Sequence, residues 1–223
     1  MDNLNLIIGF LSSLLPAFIW LALFLREDRV RPEPKSFILK SFLWGALIAL
    51  PVVFVNEGFS SLLDKGFITL IIFAGVEEFF KFFAALFSVR RNPNFDEPID
   101  AMIYAIAAGL GFATIENLLA VMGQVGQGDW LTGAVEVLVL RFVGATLLHT
   151  LTAGLIGYYW AQGIKTGRKL FFITWGFLVA WGVHTFFNWL MYVGGGDFGV
   201  FYPTLFLLGS SFFVLQDFEK LKS

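Results

Sequence analysis

The stretch Gly75-Val76-Glu77-Glu78-Phe79-Phe80-Lys81-Phe82-Phe83 sits in the middle of an apolar run from Gly66 to Val89. At about 1.5 Å of rise per residue, a helix over that run crosses the roughly 30 Å of bilayer hydrocarbon. Glu77, Glu78 and Lys81 therefore stand where lipid is expected. One charged side chain near the bilayer centre costs roughly 2.5–3.5 kcal/mol even on a lenient insertion scale. Three on a lipid-facing side would rival the stability of a whole domain, about 5–15 kcal/mol. These groups must instead face a protein interior, pair with one another, or meet water. An ionisable residue so placed marks a functional site by default.

The composition outside this stretch points the same way. Of 223 residues, 57% are hydrophobic, 14% are charged, and 28 are Phe. A soluble domain of this length has no use for so much apolar surface. The expected fold is all-α, a polytopic membrane bundle whose surroundings are the lipid bilayer. A net charge of −2 gives no reason to expect a nucleic-acid partner. Without cysteine there are no disulfides, thiol nucleophiles or thiolate metal ligands. Asp2 stands where a cleavable signal peptide would be basic, so the first apolar run is expected to be retained.

Seven runs are long enough to span: Leu4–Leu25, Phe37–Val55, Gly66–Val89, Ile99–Met122, Leu131–Gly163, Leu170–Val193 and Gly199–Leu215. Pro16 predicts a kink in the first, Asn56–Lys65 reads as a short polar connection or a surface turn of helix, and the fifth is too long for a perpendicular helix. Lys and Arg are concentrated after the first, third, fifth and seventh runs: Arg26 to Lys35, Arg90-Arg91, Lys165 to Lys169, Lys220 and Lys222. Only Lys65 lies in the other connections. The positive-inside rule then places the N-terminus outside and the C-terminus in the cytoplasm. No internal repeat or low-complexity linker breaks the chain, so one integral-membrane domain is expected over 1–223.

Inside the spans lie further polar residues: Glu116-Asn117, Arg141, His149, His184 and Asn188. Glu136 reads as an interfacial charge. Runs three to six each contribute polar positions and the others almost none, which predicts four inner helices around a polar centre with the first, second and seventh outside. Gly109, Gly111, Gly144, Gly154 and Gly157 would permit the close approach this needs. Lys81 is four residues from Glu77 and three from Glu78, so it can pair with either. Adjacent helical positions diverge by about 100°, so the two glutamates are not expected to point at one water. His184 and Asn188 are four apart and share a face. Three interior carboxylates against two cations leave one carboxylate over, beside two imidazoles and a carboxamide. Such a remainder suits a divalent cation or a polarised water. Two His and one carboxylate with an open fourth position form a catalytic zinc set. His149, His184 and Glu116 are the expected ligands, drawn from different helices because no His-Glu-x-x-His motif is present.

These residues, taken in order, resemble the PrsW-type intramembrane proteases, relatives of the larger CAAX-protease and bacteriocin-processing group. The matching pieces are Glu-Glu-x-x-Lys (Glu77, Glu78, Lys81), Phe-x-x-x-Glu-Asn (Phe112, Glu116, Asn117), a mid-membrane His149, and His-x-x-x-Asn (His184, Asn188). They cover about Gly66–Leu190, within a catalytic core expected over 66–193. The resemblance implies a multi-pass enzyme of the bacterial inner membrane. It would hydrolyse a peptide bond of a membrane-anchored protein, an anti-sigma factor in some members. It also implies zinc, although a metal-independent glutamate mechanism has been argued for relatives. The implied catalytic set is Glu77, Glu78, His149, His184 and Asn188, with Lys81, Asn117 and Arg141 in support. The first glutamate is the usual base in relatives, which favours Glu77; Lys81 at i+4 from it could equally leave Glu78 free.

On this reading a glutamate takes a proton from a water, the imidazoles bind zinc or orient that water, and Asn188 donates to the oxyanion. The substrate helix must unwind locally to expose its scissile carbonyl. Blander readings stand beside it: an ion pair that lets the third run insert, a Glu116-Asn117 clasp between helices, and Arg141 as a structural counter-ion. The Phe clusters at 79–83 and 186–187 read as lipid contact and packing. A proton- or ion-coupled transporter would use the same Glu/His/Lys chain as a relay, but no inverted repeat supports it. A bis-His haem protein leaves the carboxylates unexplained, and a noncatalytic binding protein on the same fold is a further alternative.

Overall fold

The computed structural model describes residues 3–28, 31–63, 66–124, 129–194 and 199–222. Among them are eight α-helices and one 3₁₀ turn, and no strand. The helices are α1 (Asn3–Phe24), α2 (Lys35–Leu62), α3 (Phe67–Val89), α4 (Asp100–Met122), α5 (Trp130–Val143), α6 (Ala145–Thr166), α7 (Lys169–Val193) and α8 (Phe201–Lys222). Arg29, Lys65, most of the Gly123–Asp129 turn and the Gly195-Gly196-Asp197 turn lie outside the described residues. By length and apolar composition, five described stretches can cross a membrane: Ile7–Glu27, Lys35–Ser60, Asp100–Met122, Trp130–Thr166 and Lys169–Val193. α3 has the length, and its Glu77, Glu78 and Lys81 set it apart from those five.

α4 is the hub. Every residue from 100 to 114 on it is buried, as expected of a helix apolar on all sides. Its most extensive neighbours are α2 and α6, followed by α1. This corrects the expected division into inner and outer helices, since α2 belongs against the centre. The cause is a pair of glycines. A Cβ on Gly45 of α2 would lie 1.8 Å from the Ala108 carbonyl oxygen of α4, and one on Gly111 of α4 would lie 1.9 Å from that of Phe42. Backbones can meet this closely only where side chains are absent. α2 also runs past the end of its apolar stretch to Leu62, so Asn56 is helical rather than part of a connection.

The fifth run is two helices. Gly144, at φ −100° and ψ −103°, separates α5 from α6. Asp129 caps α5 by accepting from the Thr132 hydroxyl at 2.6 Å and, more weakly, from its backbone N–H at 3.4 Å. Gly167, with φ +70°, closes α6 in the left-handed conformation that favours glycine. α7 then returns along α3, where Trp181 Nε1 donates to the Ile71 carbonyl at 2.7 Å and its ring covers Gly75.

Candidate active site

Glu77, Glu78 and Lys81 occupy one turn of α3 and are all buried. Lys81 makes its choice between the two glutamates in favour of Glu78, whose Oε1 accepts from Nζ at 2.6 Å. Nζ also lies 3.0 Å from Thr152 Oγ1 and 3.0 Å from His149 Nδ1, both on α6. Three N–H groups thus meet three acceptors, which is what a buried ammonium requires. Glu78 Oε1 is shared with His184 Nδ1 of α7 at 2.5 Å. The neighbouring Glu77 faces the other side of the same ring, its Oε2 3.5 Å from His184 Nε2. Both glutamates therefore reach one imidazole, on different nitrogens, despite their divergence along the helix. Asn56 of α2 donates from Nδ2 to Glu77 Oε1 at 3.0 Å.

A second set of contacts joins α4, α5 and α6. The break at Gly144 leaves Arg141 in the last turn of α5, beside Glu116 and Asn117 of α4. Arg141 donates from Nη2 to Glu116 Oε2 at 3.0 Å and from Nε to Asn117 Oδ1 at 2.6 Å. Asn117 donates in turn to Thr146 Oγ1 at 3.0 Å. Glu116 Oε2 also lies 2.9 Å from His149 Nε2, so His149 links the two networks. Its ring meets that of His184 edge to face, with centroids 5.2 Å apart. Rings in direct contact leave no slot for a haem plane.

One ligand atom from each of Glu77, His149 and His184 lies within 4.8 Å of the others. These three, rather than the expected His149, His184 and Glu116, form the compact donor set. The reason is electrostatic: Glu116 is already claimed by Arg141 and His149. Donor types suit zinc, which takes imidazole nitrogen and carboxylate oxygen. His184 offers Nε2 while Nδ1 is oriented by Glu78, the carboxylate–histidine arrangement common around zinc. His149 has the matching arrangement with Glu116 on Nε2, but its Nδ1 faces Lys81. Ligation through Nδ1 thus requires Lys81 to keep only Glu78 and Thr152.

Asn188 has no bond to either histidine. It lies one turn beyond His184 and lines a cavity of about 250 Å³ with Arg141, Gly144, Phe187 and Thr204. A groove of about 510 Å³ between α3 and α7, lined by Phe67, Ile71, Trp181 and Trp189, contains none of the charged groups. Glu136 is exposed, as are Phe79, Phe83 and Phe186, whereas Phe187 is buried. Three partners were missed in the sequence: Asn56, Thr146 and Thr152. The only available signal for Thr152 was a run of hydroxyls, Thr146, Thr150 and Thr152, in an otherwise apolar helix.

Comparison with known proteins agrees with the geometry. Residues 33–215 match the PrsW family of intramembrane metalloproteases. Protease PrsW of Geobacillus kaustophilus (strain HTA426) is 29% identical over 187 residues, covering 81% of this chain and 78% of the relative. Protease PrsW of Oceanobacillus iheyensis (strain DSM 14371) is 30% identical over 184 residues, covering 81% of each. No solved structure matches the chain. A family match that includes every charged residue of the buried network places the chain in the PrsW family of intramembrane proteases.

Proposed function

We propose that this protein hydrolyses a peptide bond of a membrane-anchored protein, such as an anti-sigma factor, in the bacterial cell membrane. The chain spans that membrane seven times as one domain, with the N-terminus outside and the C-terminus in the cytoplasm. The observation that carries the reading is the convergence of Glu77, His149 and His184 from three helices, all buried, with one ligand atom of each within 4.8 Å of the others.

Zinc fits that set, with Glu77, His149 and His184 as its ligands. Bound there, it would supply Lewis-acid chemistry, lowering the pKa of a water toward about 7 and polarising the scissile carbonyl. Without zinc, Glu77 Oε2 and His184 Nε2 would hold the water instead; in either case Asn56 fixes the Glu77 carboxylate through its second oxygen. Glu78 keeps His184 in the tautomer whose Nε2 is an acceptor, and Lys81 neutralises Glu78 so that it can remain ionised without water. Glu116 does the same for His149, with Arg141 as its counter-charge. The cavity beside Asn188 and Arg141 receives the unwound segment, and Asn188 donates to the oxyanion.

The relay reading of a transporter is less favoured, because the buried charges close on one another rather than forming a file between the two faces. The deciding experiment reconstitutes the protein in vesicles with a membrane-anchored reporter. Cleavage is expected for the wild type and lost in a Glu77→Ala, Glu78→Ala double variant and in His184→Ala, all three still inserted. Full cleavage by the inserted variants would remove the site.

A further inference from the structure

A second group of carboxylates lies far from the buried network. Asp100 is the first residue of α4, sixteen positions before Glu116, or about 24 Å away along the helix. One oxygen from each of Glu33, Asp96 and Asp100 lies within 4.8 Å of the others. Glu33 belongs to the connection before α2, and Asp96 to the connection between α3 and α4. Asp96 is exposed, whereas Glu33 and Asp100 are 8% and 0% exposed.

The surroundings hold these side chains in place. Asp100 Oδ2 accepts from the backbone N–H groups of Asp96 at 3.0 Å and Glu97 at 2.7 Å. Glu33 Oε2 accepts from the Tyr104 hydroxyl, which itself accepts from Asn92 Nδ2 at 2.6 Å. The Glu33 backbone N–H donates to Asp28 Oδ2 at 3.0 Å. Asp100 Oδ1, however, is buried and has no hydrogen-bond partner among the described residues, and an oxygen of Asp100 lies within 4.8 Å of one from Glu33. Two ionised carboxylates are both acceptors, so something positive must stand between them. Either they share a proton or they share a cation. Asp96, on the open side of the pair, adds a third oxygen donor that a shared proton has no need of.

We propose that Glu33, Asp96 and Asp100 form a cation site at the membrane surface that takes a hard divalent ion, magnesium, calcium or manganese. All donors are oxygen, which suits these ions and disfavours zinc. Bound there, the ion fastens the connection after α1 to the one that starts α4, the hub of the bundle. The site is independent of the proposed proteolysis and can fail without affecting it.

The test uses the full-length protein in detergent, stripped of divalent ions, with thermal unfolding read on adding magnesium, calcium, manganese or zinc. At least one of the first three is expected to raise the unfolding temperature by about 5–10 °C at saturation. Asp100→Asn keeps an acceptor for the two backbone N–H groups and is expected to abolish the rise, as is Glu33→Gln. Asp96→Asn alters only an exposed carboxylate, and should raise the ion concentration needed for half the effect roughly tenfold. His184→Ala should show the full wild-type rise. The proposal is overturned if no hard divalent ion shifts the transition, if the shift survives Asp100→Asn and Asp96→Asn unchanged, or if it disappears in His184→Ala. Stabilisation by acidification alone, dependent on Asp100 and indifferent to ions, would assign a shared proton instead and equally overturn it.

Discussion

Nδ1 of His184 lies 2.5 Å from Oε1 of Glu78, and that single contact divides the labour between two adjacent glutamates. Glu78 is committed twice, to His184 and to Lys81. Among the described residues, Glu77 keeps only Asn56 and the far nitrogen of the His184 ring. Both contacts use Glu78 Oε1, and the compact donor set with the two histidines takes its oxygen from Glu77; we therefore propose that Glu77 meets the water or metal while Glu78 orients.

Isosteric amides separate these roles. Glu77→Gln removes the charge at the reacting position and is expected to lower kcat by at least about 10³-fold, the scale of a lost acid–base group. Glu78→Gln leaves the ring contact but weakens its tautomer preference, with an expected loss of roughly 10–100-fold, as for partners one shell removed from a metal. Cleavage of a membrane-anchored reporter, with insertion verified for each variant, reads the difference. Equal losses would mean that the two glutamates act as one unit.

Lys81 is 2% exposed and Glu78 0% exposed, so the pair has no water to fall back on. Removing one member leaves a buried charge unmatched, which typically costs about 3–5 kcal/mol. Lys81→Met is expected to lose stability on that scale. The double change Lys81→Met, Glu78→Gln should recover most of it, because no ionised group is then stranded. Activity should not return with stability, since His184 has lost its oriented partner. Unfolding in detergent provides the first measurement and reporter cleavage the second.

The charged members of this network were legible in the sequence, because lipid makes every isolated charge expensive and so gives each one meaning. Their pairing was not. Lys81 at i+3 and i+4 fits either glutamate, and only His184, 106 positions away, tips the choice to Glu78. The apolar run stops at Val55, so Asn56–Lys65 reads as a short polar connection or a surface turn of helix, yet α2 continues unbroken for two more turns and Asn56 bonds Glu77. α2 itself looked peripheral because an apolar helix reads the same whether lipid or protein surrounds it. Its true place rests on Gly45, whose missing Cβ becomes informative only when Ala108 is known to lie opposite. The break at Gly144 was hidden for a similar reason, since membrane helices contain many glycines.

The α2–α4 contact can be tested through those glycines. A methyl at Gly111 would meet the Phe42 carbonyl oxygen at 1.9 Å, a clash with backbone that no rotamer relieves. Gly45→Ala and Gly111→Ala are each expected to cost more than the roughly 1–3 kcal/mol of ordinary overpacking, and to reduce folded protein on size exclusion in detergent. Gly182→Ala is the control, because nothing lies within 4 Å of its added methyl. It should be neutral or slightly stabilising through the better helix propensity of Ala, worth up to about 1 kcal/mol. Loss of folding in Gly182→Ala as severe as in Gly111→Ala would mean that glycine flexibility, rather than close approach, matters here.

Metal content distinguishes the two carboxylates that bracket the imidazoles. Glu77 belongs to the compact trio with His149 and His184, whereas Glu116 is held by Arg141 and by the Nε2 side of His149. Protein purified without chelator is expected to carry about one equivalent of zinc, as a site of this ligand type does. Glu77→Gln and His184→Ala should remove it. Glu116→Gln should keep zinc at an affinity lowered by roughly 10–100-fold, the effect of losing an orienting partner. Chelation should stop cleavage and added zinc should restore it. If Glu116→Gln strips the metal as completely as Glu77→Gln, the third ligand is Glu116, and the trio has been assigned to the wrong carboxylate. If the wild type carries no metal and cleaves in the presence of chelator, Glu77 works as a base directly on water, with His184 Nε2 as the second group holding that water in place.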